Sequence, residues 1–253
     1  MHSSGEYTRE RLGFLSAINV AQPLVNGCRT GRRVCYSRSR WNLATTKRAA
    51  KVMIESQSSL PVDVPHCEAL TRRWVRDFVL ALQLCPYARA PFLANQVRIA
   101  VDGATSIQQV ERALEREAQV LQHAPEEALA TTLLVLPNFH PRDFERFYAS
   151  TLLLERRWEA RGLSDSFVLV FFHPMHMYAK HGAPANGCIP VDQLDYERRA
   201  PLPTINLLRD DQVDAAVASG KSTEMLEHNA AHLSTIPLEA LEIRFRCLYK
   251  TDA

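Results

Sequence analysis

Glycine is scarce, nine residues in 253, and none falls in the G-x-G-x-x-G or G-x-x-x-x-G-K-[ST] patterns that cradle dinucleotides and nucleoside triphosphates. No nucleotide cofactor is indicated, and no other cofactor is evident. The six cysteines, Cys28, Cys35, Cys67, Cys85, Cys188 and Cys247, include no C-x-x-C pair, which argues against a disulfide framework and a ribbon-type zinc site. Reduced thiols are expected. No run approaches the roughly 18 to 20 apolar residues that span a bilayer, so a soluble protein without a membrane partner is expected. Acidic residues are missing from Arg11 to Ile54, and residues 1–51 hold ten Lys or Arg against only Glu6 and Glu10.

That acid-free stretch, with GCRTGRRVCYSRSRWNLATTKRAAK at its centre, has the Arg- and Ser-rich composition of an organelle transit peptide. The alternative is a basic arm retained in the mature protein. The net charge of +2 leaves the rest of the chain with 20 basic and 26 acidic residues. A nucleic-acid partner is therefore not expected, because the only basic region is poor in the aromatics that stack on bases. Residues 1–58 read as transit peptide and linker, and residues 59–253 as one folded domain in the matrix or stroma of a mitochondrion or plastid. The linker reading rests on the polar, Pro-bounded SQSSLPVDVP at 56–65.

Within the domain, apolar residues at helical spacing predict helices over 71–84, 107–122 and 143–161. Ser106 and Gln109 form a capping box for the second, and Gly162 ends the third. Strands are predicted at QVRIAV (96–101), TTLLVL (131–136), FVLVFF (167–172) and TINLL (204–208), with Asp210 or Asp211 capping a helix after the last. Pro203 argues that the last strand lies at an edge or begins there. The end of the chain fits either a helix or a strand. Alternation of strand and helix predicts an α/β fold with a mostly parallel sheet and crossover helices, a ferredoxin-like α+β sheet being the alternative.

In a parallel sheet, ligands bind at the carboxyl ends of the strands, and there two apolar runs end in His173 and Arg209. Arg209 also precedes a helix N-terminus, so it is read as a phosphate or carboxylate site, or else as the partner of Asp210, Asp211 or Asp214. Arg198 and Arg199 are expected near the same edge, or as solvated charges. His173 is read as an acid/base or as a histidine bonded to backbone, and Asn138 and His140 would join it. His173, His176, His181 and Cys188 make a zinc set of irregular spacing, a minority alternative to no metal. Cys85 is read as structural, at a helix C-terminus whose dipole opposes a thiolate.

LQLCPYA at 82–88, TTLLVLP at 131–137, FFHP at 171–174 and the R-x-P-x-P then LLR of Arg199 to Arg209 together resemble the domain-of-unknown-function family 1415, a mainly bacterial set of small proteins. The likeness covers about 71–217. It implies that Cys85, Pro86, His173, Pro174, Arg199, Pro201, Pro203 and Arg209 recur, and that His176 and Asn206 depart from the family pattern. It implies no activity. The expectation is an enzyme, a hydrolase or transferase, acting on a small anionic substrate, with His173 as acid/base, Asn138 or His140 orienting, and Arg198, Arg199 and Arg209 binding. The alternative is a non-catalytic ligand-binding or assembly protein.

Overall fold

The computed structural model describes residues 61–178 and 191–250. The segment expected to be a transit peptide, and the proposed ligands His181 and Cys188, lie outside the described residues.

Helix α1 (Val64–Trp74) starts at Asp63, whose carboxylate accepts the His66 N–H at 3.0 Å. Pro65, assigned above to a linker, instead occupies the first helical turn, where its missing N–H has no intrahelical partner to lose. The helix runs on into a π-helical stretch, Val75–Leu80, so that Trp74, Val75, Phe78 and Leu82 are all buried. A short helix α2 (Arg89–Leu93) follows before the sheet begins.

The sheet has four strands: β1 (Val97–Val101), β2 (Thr131–Val135), β3 (Phe167–Phe172) and β4 (Thr204–Arg209), in the order β1-β2-β4-β3. β1 and β2 are parallel, joined by helix α3 (Ile107–His123). β4 is antiparallel to both neighbours, pairing Val135 with Thr204 on one side and Phe172 with Thr204 on the other. The sheet is therefore mixed, which corrects the mostly parallel expectation. β2 and β3 point the same way and are joined by helix α4 (Phe144–Ala160), and β4 is inserted between them as in a split βαβ unit. The physical reason lies in the β3–β4 connection. A parallel return needs a crossover, usually a helix, whereas the described part of this connection has only a 3₁₀ turn, Leu194–Arg198.

Two-residue alternation sends strand side chains to opposite faces. Leu134, Phe167, Leu169, Ile205 and Leu207 pack under α3 and α4 with Val110, Leu114, Leu121, Phe147 and Trp158. Full burial of each such aliphatic or aromatic side chain contributes about 1.5–3 kcal/mol. Val97, Ile99, Leu133 and Val135 pack on the other face against Trp74, Phe78 and helix α7 (Leu238–Cys247). Val168 and Val170 meet α5 (Asp210–Ala218), with residues of α6 (Lys221–Ser234) beside them. The chain end is a helix, with Leu241 and Phe245 buried and Ile243 exposed, which decides against the strand alternative. The capping box at Ser106 and Gln109 is formed. Arg209, not Asp210 or Asp211, holds the N-cap position of α5.

Candidate functional site

Because β4 runs against β2 and β3, its carboxyl end lies at the opposite edge of the sheet from theirs. Arg209 is therefore remote from His173. Its Nη2 donates to three carbonyls, Leu121 at 2.7 Å, Ala124 at 2.8 Å and Leu129 at 3.1 Å. Leu121 lies in the last turn of α3 and Ala124 is its C-cap, where carbonyls lack intrahelical partners and the helix dipole favours a cation. Through Nη2 the guanidinium caps α3 and pins the following loop to β4, while its buried Nε has no hydrogen-bond partner. Replacing it should cost stability alone: Arg209→Met is expected to lose about 2 kcal/mol, since hydrogen bonds to charged groups contribute about 1.5–3 kcal/mol and the freed carbonyls regain some water. Thermal unfolding should show this as a fall of about 4–8 °C.

His173 follows the last residue of β3, with its side chain fully buried. Its Nδ1 accepts the Met175 N–H at 3.1 Å, which leaves Nε2 to donate to the His140 carbonyl at 3.0 Å. The ring rests between Phe147 (centroids 4.8 Å apart) and Phe144 (5.4 Å). Burial holds its pKa down at about 4. His140 has a φ of 52°, in the left-handed region that His tolerates better than bulky or branched residues, and this turn presents its carbonyl to His173. Both ring nitrogens are thus used by backbone, so this ring neither exchanges a substrate proton nor offers a metal a lone pair without breaking these bonds. His140 itself is half-buried, and burial lowers its pKa. Asn138 sits past β2 with its side-chain nitrogen near Gly103, on the β1 side of the same edge. Both residues lie in the β2–α4 connection, which His140 shapes through its positive φ.

The residues that come together are those of the 3₁₀ turn before β4 and the segment after His173. The Arg198 carbonyl accepts the His173 N–H at 3.1 Å, and Arg199 Nε donates to the His176 carbonyl at 3.2 Å. Asp195, fully buried, draws both flanks in: its carboxylate accepts the Tyr178 N–H and the Asp192 N–H, each at 2.9 Å. Tyr178 donates its hydroxyl to Glu197 at 2.9 Å and receives the Arg198 Nε at 3.4 Å. Asn229, 1% exposed on α6, donates to the Leu84 carbonyl at 2.9 Å and to Glu197 at 2.8 Å. Thus α6, the Cys85 turn and the 3₁₀ turn are laced through one amide.

Two guanidinium groups emerge from this lacing without a carboxylate partner. Arg198 is only 6% exposed and lies over Phe172 (5.6 Å to the ring centroid), while Arg199 lies over Tyr196 (4.5 Å). Among the described residues neither makes an ion pair within 4.0 Å, whereas Arg98, Arg116 and Arg157 each hold a carboxylate at 2.7–3.0 Å. Burial pulls the Arg198 pKa down, but Tyr178 and Glu197 together hold it above its ordinary value. Beside them His176, 6% exposed, touches Phe144 and Tyr178 edge-on and has a buried Nδ1 with no hydrogen-bond partner. Burial, then the charges of Arg198 and Arg199, lower its pKa to about 3.

Cys85 lies within electrostatic reach of Arg198, in the turn that leads to α2 and not at a helix C-terminus. Burial pushes its thiol up, against the opposing pull of the Tyr87 and Ala88 amides and of Arg198. The thiol is half-buried, and its surroundings favour the protonated form. Among the described residues no group of three metal-ligating side chains forms, so the zinc set has no described centre. A groove of about 270 Å³ runs along β1, lined by Glu68, Arg98, Asp102, Arg116 and Glu117, but its arginines are already paired, Arg98 with Glu117 and Arg116 with Asp102. No described helix is long and apolar enough to cross a membrane.

Sequence reading missed Tyr178, Asp195, Glu197 and Asn229. Asn229 alone had a signal, a polar residue four before Leu233 on the buried side of an amphipathic helix. No curated protein and no solved structure is similar enough to this chain to count as a match. A family model does match, over residues 66–242, which takes in the sheet, the arginine pair and most of the helices around them. The chain belongs to the family described as "Protein of unknown function (DUF1415)".

Proposed function

We propose that this protein binds a small phosphate- or carboxylate-bearing molecule through Arg198 and Arg199, at the edge where β2 and β3 end. The observation that carries the reading is the pair of adjacent guanidinium groups held by a tyrosine, two aromatic rings and a backbone carbonyl instead of by carboxylates. A buried charge without a counter-charge is costly, and an anionic ligand offsets that cost. The unpartnered Nδ1 of His176 beside them adds an acceptor for a ligand hydroxyl or amide. The binding role is favoured over hydrolysis or transfer, because the acid/base expected of His173 is engaged with backbone on both ring nitrogens. The same proposal places the domain in a plastid or mitochondrion, on the composition of residues 1–58. A reporter fused to residues 1–60 reads that directly, and a diffuse cytosolic signal would end it.

The binding test is a thermal-shift series with inorganic phosphate, pyrophosphate and dicarboxylates at constant ionic strength, on the wild type and Arg199→Gln. An anion at 100 times its dissociation constant adds about 2.7 kcal/mol, several degrees for a chain of this size. Loss of the shift in Arg199→Gln, with the shift retained in Arg209→Met, is expected. A folded protein indifferent to the whole panel, or a shift that survives Arg199→Gln, would refute the proposal.

A further inference from the structure

Away from the arginine pair, α6 carries two histidines four residues apart, His228 and His232. Residues at i and i+4 of an α-helix lie on one face, about 5–6 Å apart at Cβ. Here the consequence is visible in the rings, which face each other nearly parallel, with centroids 5.5 Å apart and planes inclined by 11°. His228 is exposed and His232 half-buried, so solvent and ions reach the pair. Neither ring makes a hydrogen bond among the described residues, in contrast to His123, which bonds to Gln119, and His173, which bonds at both nitrogens. Two free imidazoles are thus held on one helical ridge by a backbone that is already ordered.

We infer that His228 and His232 form a two-point chelate for a divalent late transition-metal ion, copper, nickel or zinc. Imidazole suits these ions, whereas magnesium and calcium prefer oxygen. Helical histidines at this spacing are the arrangement that holds zinc in H-E-x-x-H sequences. This chain has Asn229, Ala230 and Ala231 between them and so lacks the intervening glutamate that serves as base there. The site is therefore a binding site and not a hydrolytic one. No third described side chain joins the pair, so solvent completes the coordination and the affinity order follows the ion: copper above nickel above zinc. Bridging i to i+4 closes a turn of α6 around Asn229, the amide that ties this helix to Leu84 and Glu197.

The experiment is calorimetric titration of the full chain, without a histidine tag, with zinc, nickel and copper salts. His228→Gln and His232→Gln are compared with the exposed control His66→Gln. A saturable one-to-one step is expected for the wild type and for His66→Gln, tightest with copper, and lost in both α6 variants. Circular dichroism confirms that those variants stay folded, since both positions are at least partly exposed. Absence of a one-to-one step in the wild type, or its survival in either α6 variant, would overturn the inference. Neither result bears on Arg198 and Arg199, whose anion response is read separately.

Discussion

Acidifying the protein from about pH 6.5 to about pH 4 is expected to lower its unfolding free energy by on the order of 3 kcal/mol through His173 alone. The sign follows from where the proton goes. In the unfolded chain His173 titrates at its ordinary value, whereas the folded ring stays neutral down to about pH 4. Between those values the unfolded state binds the extra proton, so stability falls as pH falls; above that window the penalty is absent, and below it complete. His176 carries the same sign with a window extending to about pH 3. The groups around His173 do not reverse this. Burial outweighs them all: the hydrogen bond to the His140 carbonyl and the Asp143 charge pull its pKa up, while the His140 and Arg199 charges push it down. Urea unfolding of the wild type and His173→Asn at pH 7.5, 6, 5 and 4 isolates the effect, because contributions from carboxylates are common to both. Asn keeps an acceptor for the Met175 N–H while removing the titration. The variant should start less stable and lose less on acidification. Parallel losses in the two proteins would show that His173 titrates normally in the fold.

That expectation depends on a ring whose surroundings are only half legible in the sequence. FVLVFFHP states a buried strand ending in a histidine before a fixed turn, and the structure has both. What decides the role of His173 is the His140 carbonyl, set by a left-handed residue in a different loop, and no local pattern announces it. Helices α3 and α4 and the four strands were readable because their apolar residues recur at a helix or strand period, whereas α2 and α6 were not read from the sequence. The direction of β4 was not, because TINLL reads identically in either direction and its pairing is settled by segments far away in the chain. One local signal did exist. The stretch from His173 to Pro203 is rich in proline and glycine and has no helical period, which argues against a crossover and for an antiparallel return. Given that direction, Arg209 falls at the far edge and the arginines that precede β4 take its place near His173. Arg198 and Arg199 were in view from the sequence, as anion-binding residues at a strand edge or else as a solvated dipeptide. Their burial depends on Tyr178, Asp195 and Asn229, which no spacing connects.

Arg198→Met is expected to weaken anion binding roughly tenfold to a hundredfold, the equivalent of about 1.5–3 kcal/mol for a charge-assisted contact, while leaving the protein as stable as the wild type or more so. The two halves of this expectation separate a ligand-binding arginine from a structural one. Removing one member of a buried ion pair costs about 3–5 kcal/mol, because the other charge is stranded. Arg198 has no such partner among the described residues. Glu197, the nearest acid in play, is half-buried and keeps the Tyr178 hydroxyl and the Asn229 amide when the guanidinium goes. Methionine fills much of the same volume against Phe172, and exchanging buried charge for apolar volume is often neutral or stabilising, by up to about 4 kcal/mol. His176 gives an internal check, since after burial Arg198 is the largest influence holding its pKa down. In the variant its titration should move up toward the ordinary histidine range, and NMR of the ring can follow this without any ligand. A variant that unfolds several degrees lower and still responds to phosphate would make Arg198 a structural residue. A variant that holds its midpoint and loses the response would mean that the fold carries a buried cation for the sake of what it binds.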